Sequence, residues 1–200
     1  MPWKVDYAHT SIGFSIRHMM ITNVRGRFEK FTVETELDED KVGKIHDANV
    51  LTEDDFLNSH FTVQIDVASI NTNAPDRDAH LRSPDFFNAE KYPYVTFKAK
   101  RGEKKDDTHG KLIGDLTIRD LTKEVALDVE YLGQAQTPWG AHNAGFEATT
   151  RINRKDWGLT WNVALESGGW LVGDEIRVDI AIEFTKVAEP APAEAQKAAA

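Results

Sequence analysis

Cysteine is absent from this chain of 200 residues, and its absence excludes several kinds of chemistry. Without thiols the protein has no disulfide, no thiolate nucleophile and no cysteine-ligated zinc site. The seven histidines show no metal-ligand spacing, such as an i,i+4 pair on a helix. The sequence therefore predicts neither a metal site nor a protein-bound cofactor.

An excess of positive charge is also missing, because the formal net charge is −9. Such a chain lacks the basic surface that a phosphate backbone requires, and anionic headgroups would repel it. No segment approaches the ~18 uncharged apolar residues of a spanning helix. We therefore predict no nucleic-acid partner and no stable membrane insertion.

The first residues lack the apolar core of a secretory signal, which predicts a cytoplasmic protein, or a periplasmic one if a signal has been cleaved.

Apolar residues recur at every second position along most of the chain, as at Ile12, Phe14 and Ile16. This period is typical of strands with one apolar and one polar face. It excludes a doubly covered parallel sheet and leaves a sandwich or a barrel. Long strands with internal glycines favour the barrel. We predict an all-β fold, an eight-stranded antiparallel barrel with one or two short helices, in which residues 24–37 form one strand.

Three segments interrupt the alternation. Residues 38–58 form an acidic insertion with weak helical signals, which we expect to be exposed. Residues 74–91 predict a short helix and a turn that ends at Pro84. Residues 188–200 are rich in Ala, Pro and Glu and predict a disordered tail, so the barrel domain spans residues 1–187.

Six large aromatic residues lie outside the predicted strands, where exposure would be costly. We expect most of them to plug the barrel ends. A barrel of eight strands can be filled by side chains or can hold one small ligand, and alternation does not decide between these states. The six residues are Phe86, Phe87, Trp139, Trp157, Trp161 and Trp170.

Two groups of polar residues are candidates for chemistry. Asp78 could orient His80 as an acid–base pair, but no nucleophile motif accompanies them. In the alternative interpretation, Asp78 caps a helix and Arg77 pairs with a carboxylate; a third one makes Arg77, His80 and Arg82 an anion site. His18 continues the apolar face of its strand, so it needs either a structural partner or a ligand.

Several longer runs resemble the signature of the YceI-like proteins, and they occur in order over about residues 3–187. The runs are RDAHLRSPDFF (77–87), KYPYVTF (91–97), GDLTIR (114–119), LTKEV (121–125), GFEA (145–148) and INRKDWG (152–158). The resemblance implies a lipocalin-like antiparallel barrel of eight strands. It also implies an apolar pore that holds a polyprenyl or quinone-type chain, often in a homodimer.

The resemblance therefore predicts a non-catalytic binder of an elongated lipid, either a polyisoprenoid, a quinone or a fatty-acid-like molecule. Two alternatives remain open: a small-molecule hydrolase or isomerase that uses Asp78 and His80, and a filled barrel that acts as an interaction module. The predicted ligand-binding residues are the inward-facing Phe14, Ile16, Phe28, Val63, Ile65, Phe97, Leu116, Leu127, Phe146 and Ile180, with His18 as a polar contact.

Overall fold

A computed structural model describes residues 3–36 and 52–186 of the chain. The predicted tail at 188–200 lies outside these residues, as does most of the acidic insertion. The strands are β1 (Lys4–Val5), β2 (Ser11–His18), β3 (Thr22–Phe28), β4 (Phe31–Glu36), β5 (His60–Asp66), β6 (Ile70–Asn71), β7 (Tyr94–Lys104), β8 (His109–Ile118), β9 (Leu121–Gln136), β10 (His142–Asn153) and β11 (Val172–Lys186). The helices are α1 (Glu53–Leu57) and α2 (Pro75–Arg82), with 3₁₀ turns at 67–69 and 154–157.

The strands form one curled sheet in the order β4-β5-β7-β8-β9-β10-β11-β2-β3-β6, and β1 adds to the end of β11. Every paired neighbour is antiparallel. The prediction of an all-β, lipocalin-like antiparallel barrel with short helices is therefore confirmed.

The single strand predicted over 24–37 is wrong, because the chain leaves the sheet at Glu29 and Lys30. The backbone N–H groups of these two residues donate to the hydroxyl of Ser69, at 3.2 and 3.0 Å. β4 consequently lies at one edge of the sheet, and β3 lies near the other edge with only the two-residue β6 beyond it. The described residues thus form nine strands of six or more residues, with two of two residues, instead of the eight predicted.

A seam separates the edge strand β4 from β3 and β6, since no backbone ladder joins them in the described part of the chain. Tyr7, in the turn between β1 and β2, reaches the free edge of β4. Its hydroxyl accepts a hydrogen bond from the N–H of Val33 at 3.0 Å, and its ring lies 5.8 Å from that of Phe31. This side chain satisfies one backbone group of an edge that would otherwise be open.

Helix α1 begins at a capping box and lies against β7 and β8 at one end of the barrel. The Thr52 hydroxyl accepts from the N–H of Asp55, and the Asp55 carboxylate accepts from the N–H of Thr52. Gly102 in β7 permits the close approach, because a Cβ there would collide with the backbone of Leu57.

The expectation that the acidic insertion is exposed is wrong for its last residues. Glu53, Phe56 and Leu57 are all buried, with exposed fractions of 2%, 2% and 3%. The acidic composition suggested a solvated loop, but the apolar side chains of Phe56 and Leu57 pack into the core at the end of the barrel. This segment therefore acts as a plug that closes the barrel end. Residues 37–51 lie outside the described residues.

The helix predicted before Pro84 is confirmed as α2, which has Pro75 in its first turn. The described apolar residues form two buried clusters. One cluster surrounds α1 and includes Phe56, Phe146 and Phe184; the other lies toward α2 and includes Ile65, Ile118 and Trp157.

Candidate functional site

A cavity of about 320 Å³ runs through the barrel between the two clusters. Ligand pockets typically measure about 300–1,000 Å³. The inward faces of β2, β5, β7, β8, β9 and β11 line it, almost entirely with apolar side chains. Such a lining offers water few hydrogen-bond partners, so an apolar guest is favoured over water.

Ten of the eleven residues predicted to bind the ligand line this cavity: Phe14, Ile16, His18, Phe28, Val63, Ile65, Phe97, Leu116, Leu127 and Ile180. Six of the apolar ones face inward yet are only half-buried: Phe14, Ile16, Phe28, Val63, Leu116 and Ile180. Their remaining accessible surface is the wall of the cavity. The interior is therefore not filled by side chains.

The structure places Phe146 away from the cavity lining. It is 1% exposed, and its ring stacks on Phe56 with centroids 4.4 Å apart. The ring centroids of Phe61 and Phe56 lie 4.7 Å apart, and Phe184 packs edge-on against both Phe56 and Phe146. These four rings close the α1 end of the cavity.

The opposite end is bounded by α2, the turn at 83–88 and the loop at 158–171. His80 and Phe86 contact the ring of Trp161 with centroids 4.7 and 5.3 Å apart. All three line the cavity. The prediction that the loop aromatics plug the barrel ends holds for Phe86 and for Trp157, which are 7% and 2% exposed.

Arg154 holds the loop at 158–171 in place, and sequence reasoning missed it. It is 1% exposed, and its guanidinium donates to the backbone oxygens of Gly173, Leu159 and Trp161 at 2.6–2.8 Å. Burial lowers its pKa below the usual value, although the charge of Asp174 opposes this effect. In the sequence, the only signal at this position was the run INRKDWG (152–158), which resembles part of the YceI-like signature.

The remaining polar side chains at this end differ in whether they already have a hydrogen-bond partner. Arg77 donates to the hydroxyl and backbone oxygens of Thr72 at 2.7 and 2.8 Å, and His80 pairs with Asp85 at 2.9 Å. The half-buried His18 has no side-chain hydrogen bond within the described residues. It is therefore a lining group that is available to a polar atom of a guest.

The structure does not bring Asp78 and His80 together as an acid–base pair. The buried carboxylate of Asp78 accepts from the N–H and the hydroxyl of Thr72 at 2.9 and 2.5 Å. Ala74 is the N-cap of helix α2 and no side chain caps it, so the interpretation of Asp78 as a helix cap is wrong as well. Arg77 also binds Thr72 and not the expected carboxylate. The two charged residues together fix the chain that enters α2.

Exposed apolar side chains surround the rim at the α2 end. Met19, Met20 and Ile21 are exposed in the turn after β2, and the N–H of Met19 donates to the Leu171 backbone at 2.8 Å. Trp170, 53% exposed, lies in the adjoining loop. Trp139 is 89% exposed, so neither tryptophan plugs the barrel as expected.

Comparison with known proteins decides the family. The model of the YceI-like domain matches residues 3–184. The chain belongs to the YceI-like family. A UPF0312 protein of Staphylococcus aureus is 36% identical over 181 residues, which cover 90% of this chain and 95% of the relative.

Several solved structures have a similar fold. A YceI protein of Campylobacter jejuni, 32% identical, superposes with a TM-score of 0.66 and covers 94% of this chain and 99% of its own. BcnA of Burkholderia cenocepacia has a TM-score of 0.67 at 21% identity, with coverages of 90% and 99%. A polyisoprenoid-binding domain of Saccharophagus degradans has a TM-score of 0.59 at 14% identity, with coverages of 91% and 97%. No helix among residues 3–36 and 52–186 is long and apolar enough to cross a membrane.

Proposed function

We propose that this protein binds and carries an elongated apolar molecule, a polyisoprenoid or an isoprenoid-tailed quinone, without altering it chemically. The apolar cavity of about 320 Å³ carries the proposal, because inward-facing side chains stay accessible along it. The related fold of a domain described as polyisoprenoid-binding supports the ligand class. An acid–base reaction lacks support, since Asp78 is engaged by Thr72.

Burial alone would supply most of the affinity for such a chain. Each buried methylene contributes about 0.8 kcal/mol, so binding should strengthen with chain length until the guest reaches the ring of Phe56. The ligand's polar head would then lie at the α2 end, beside His18. Chain length and head group would both contribute to specificity.

The proposal is tested with lipid extraction and native mass spectrometry of the purified protein. Stripped protein is then titrated with prenyl alcohols of increasing length, a prenylated quinone and a fatty acid. Ile16→Trp places a large ring in the cavity and should weaken prenyl binding at least tenfold. Ser15→Trp places the same ring on the outer face of β2 and should bind as the wild type does.

Two results would overturn the proposal. One is a protein that purifies empty and takes up none of the prenyl ligands. The other is equal binding by both tryptophan variants, which would place the ligand outside the barrel. Preferential binding of the fatty acid would retain the carrier function but reject the isoprenoid as its ligand.

A further inference from the structure

Three potential metal ligands converge at the α1 end of the barrel, outside the cavity. Asp6 and His9 belong to the turn between β1 and β2, and Glu183 belongs to β11. His9 Nδ1 lies 2.9 Å from Asp6 Oδ2 and 3.7 Å from Glu183 Oε1. All three ligand atoms lie within 4.8 Å of one another. The linear sequence could not show this group, because 174 positions separate residues 9 and 183 (183 − 9).

Backbone hydrogen bonds hold the turn against β11 independently of these side chains. The N–H of Asp6 donates to the backbone oxygen of Glu183 at 2.8 Å, and the N–H of His9 donates to that of Asp6 at 3.2 Å. The N–H of Glu183 donates to the Thr10 hydroxyl at 3.2 Å. The three side chains are therefore brought together by the fold and not only by their charges.

Neighbouring groups also orient the two carboxylates. The N–H of Ala8 donates to Oδ1 of Asp6 at 2.9 Å, which leaves Oδ2 directed at His9. The side-chain amide of Asn143 donates to Oε1 of Glu183 at 2.6 Å, and the Thr185 hydroxyl donates to the Asn143 amide oxygen at 2.9 Å. Supporting hydrogen bonds of this kind are typical of residues that ligate metals.

The spacing suits a small divalent ion. Zinc lies about 2.0–2.2 Å from imidazole nitrogen and carboxylate oxygen, so tetrahedral ligands are about 3.3 Å apart. The distances of 2.9 and 3.7 Å lie on either side of that value. The side chain of His9 is 65% exposed, which leaves access for the ion and for a water ligand. We propose that Asp6, His9 and Glu183 bind a divalent transition-metal ion such as Zn²⁺.

The site lies next to the seam of the barrel. Tyr7, between two of the ligands, accepts the hydrogen bond from Val33 on the free edge of β4. An ion that ties Asp6 and His9 to Glu183 would hold this turn, and with it Tyr7, in place. Because the ion binds the folded state, it should also raise the melting temperature.

The test uses untagged, chelator-treated full-length protein titrated with Zn²⁺ in a calorimeter. We expect one ion per chain, and at least a tenfold loss of affinity in His9→Gln and in Glu183→Gln. His109→Gln is the matched control. His109 also pairs with acidic groups, but Nδ1 faces Asp106 and Nε2 faces Glu130, so its contacts do not converge on one nitrogen. This variant should bind Zn²⁺ as the wild type does.

Melting curves and Co²⁺ spectra distinguish the loss of a metal site from a failure of the variant to fold. Zn²⁺ should raise the melting temperature of the wild type and of His109→Gln, but not of His9→Gln. Bound Co²⁺ should give the absorption bands of a four-coordinate ion in the wild type. The proposed site would be overturned if the wild type bound no stoichiometric Zn²⁺. It would also be overturned if His109→Gln lost as much affinity as His9→Gln. Neither outcome would affect the proposed lipid carriage, which involves the cavity alone.

Discussion

The ring of Phe56 stacks on the ring of Phe146, with centroids 4.4 Å apart and an angle of 18° between their planes. Phe56 belongs to the short helix α1 and Phe146 to the barrel strand β10. Helix α1 thus inserts a side chain into the barrel end, where it meets an inward-facing ring. This contact ends the apolar cavity at the α1 end, and it would limit the length of a guest under the proposed function.

Phe56→Ala should have two effects: it should lower the stability of the protein, and it should lengthen the cavity. Removal of a fully buried phenylalanine ring typically costs about 3–5 kcal/mol. Urea unfolding measures this loss, and titration with prenyl alcohols measures the longest chain that still gains affinity. Phe56→Leu, which keeps part of the volume, should lose less stability and change the length limit less. An unchanged length limit in Phe56→Ala would show that Phe56 does not end the cavity.

The alternation in the sequence predicted which strand faces point inward, and ten of the eleven predicted positions line the cavity. It could not predict depth along the barrel axis, because a period of two is the same at every level of a strand. Phe146 alternates exactly as Leu127 does, yet lies beside the plug. The plug itself was missed, because the acidic residues before Phe56 suggested a solvated loop.

The role of Arg154 could not be predicted for a different reason. An arginine in a turn that also contains Lys155 and Asp156 is usually exposed. Here the loop at 158–171 folds back over it, and three backbone oxygens satisfy its guanidinium. That arrangement depends on contacts with residues up to 19 positions away, which no local pattern records.

Arg154→Lys should loosen the loop that borders the cavity mouth. Lysine cannot reach three carbonyl oxygens with one planar group, so we expect a loss of more than about 2 kcal/mol. Hydrogen exchange should become faster over residues 158–174 specifically. The control is Arg151→Lys, whose exposed pair with Glu175 at 2.7 Å should contribute at most about 1 kcal/mol. Equal effects of the two variants would contradict the role of Arg154.

His18→Leu should change the preference for a polar head and not for the apolar chain. One hydrogen bond to a neutral head contributes about 1 kcal/mol, which corresponds to roughly fivefold in affinity. Titration with a prenylated quinone should show this loss, while a prenyl hydrocarbon of equal length should bind at least as well as before. Equal losses for both ligands would indicate that His18 supports the barrel and does not contact the head.

Glu53→Gln should stabilise the protein at neutral pH, because the Glu53 side chain is buried at the start of α1. Neither carboxylate oxygen has a hydrogen-bond partner among the described residues. Burial raises its pKa above the usual value, although the charge of Lys104 opposes this effect. The protonated carboxyl is thus the form that the fold favours. The cost of a buried polar group without a partner is about 1–3 kcal/mol.

The sign of the pH dependence follows from the raised pKa of Glu53. Its contribution to stability is fully present below the pKa of the unfolded chain, about 4.3. It is lost as the pH rises through the higher pKa of the folded state. Urea unfolding should therefore give similar free energies for wild type and Glu53→Gln near pH 4, and a growing advantage of the variant toward pH 7. An advantage that is constant with pH would show that the Glu53 carboxyl titrates alike in both states.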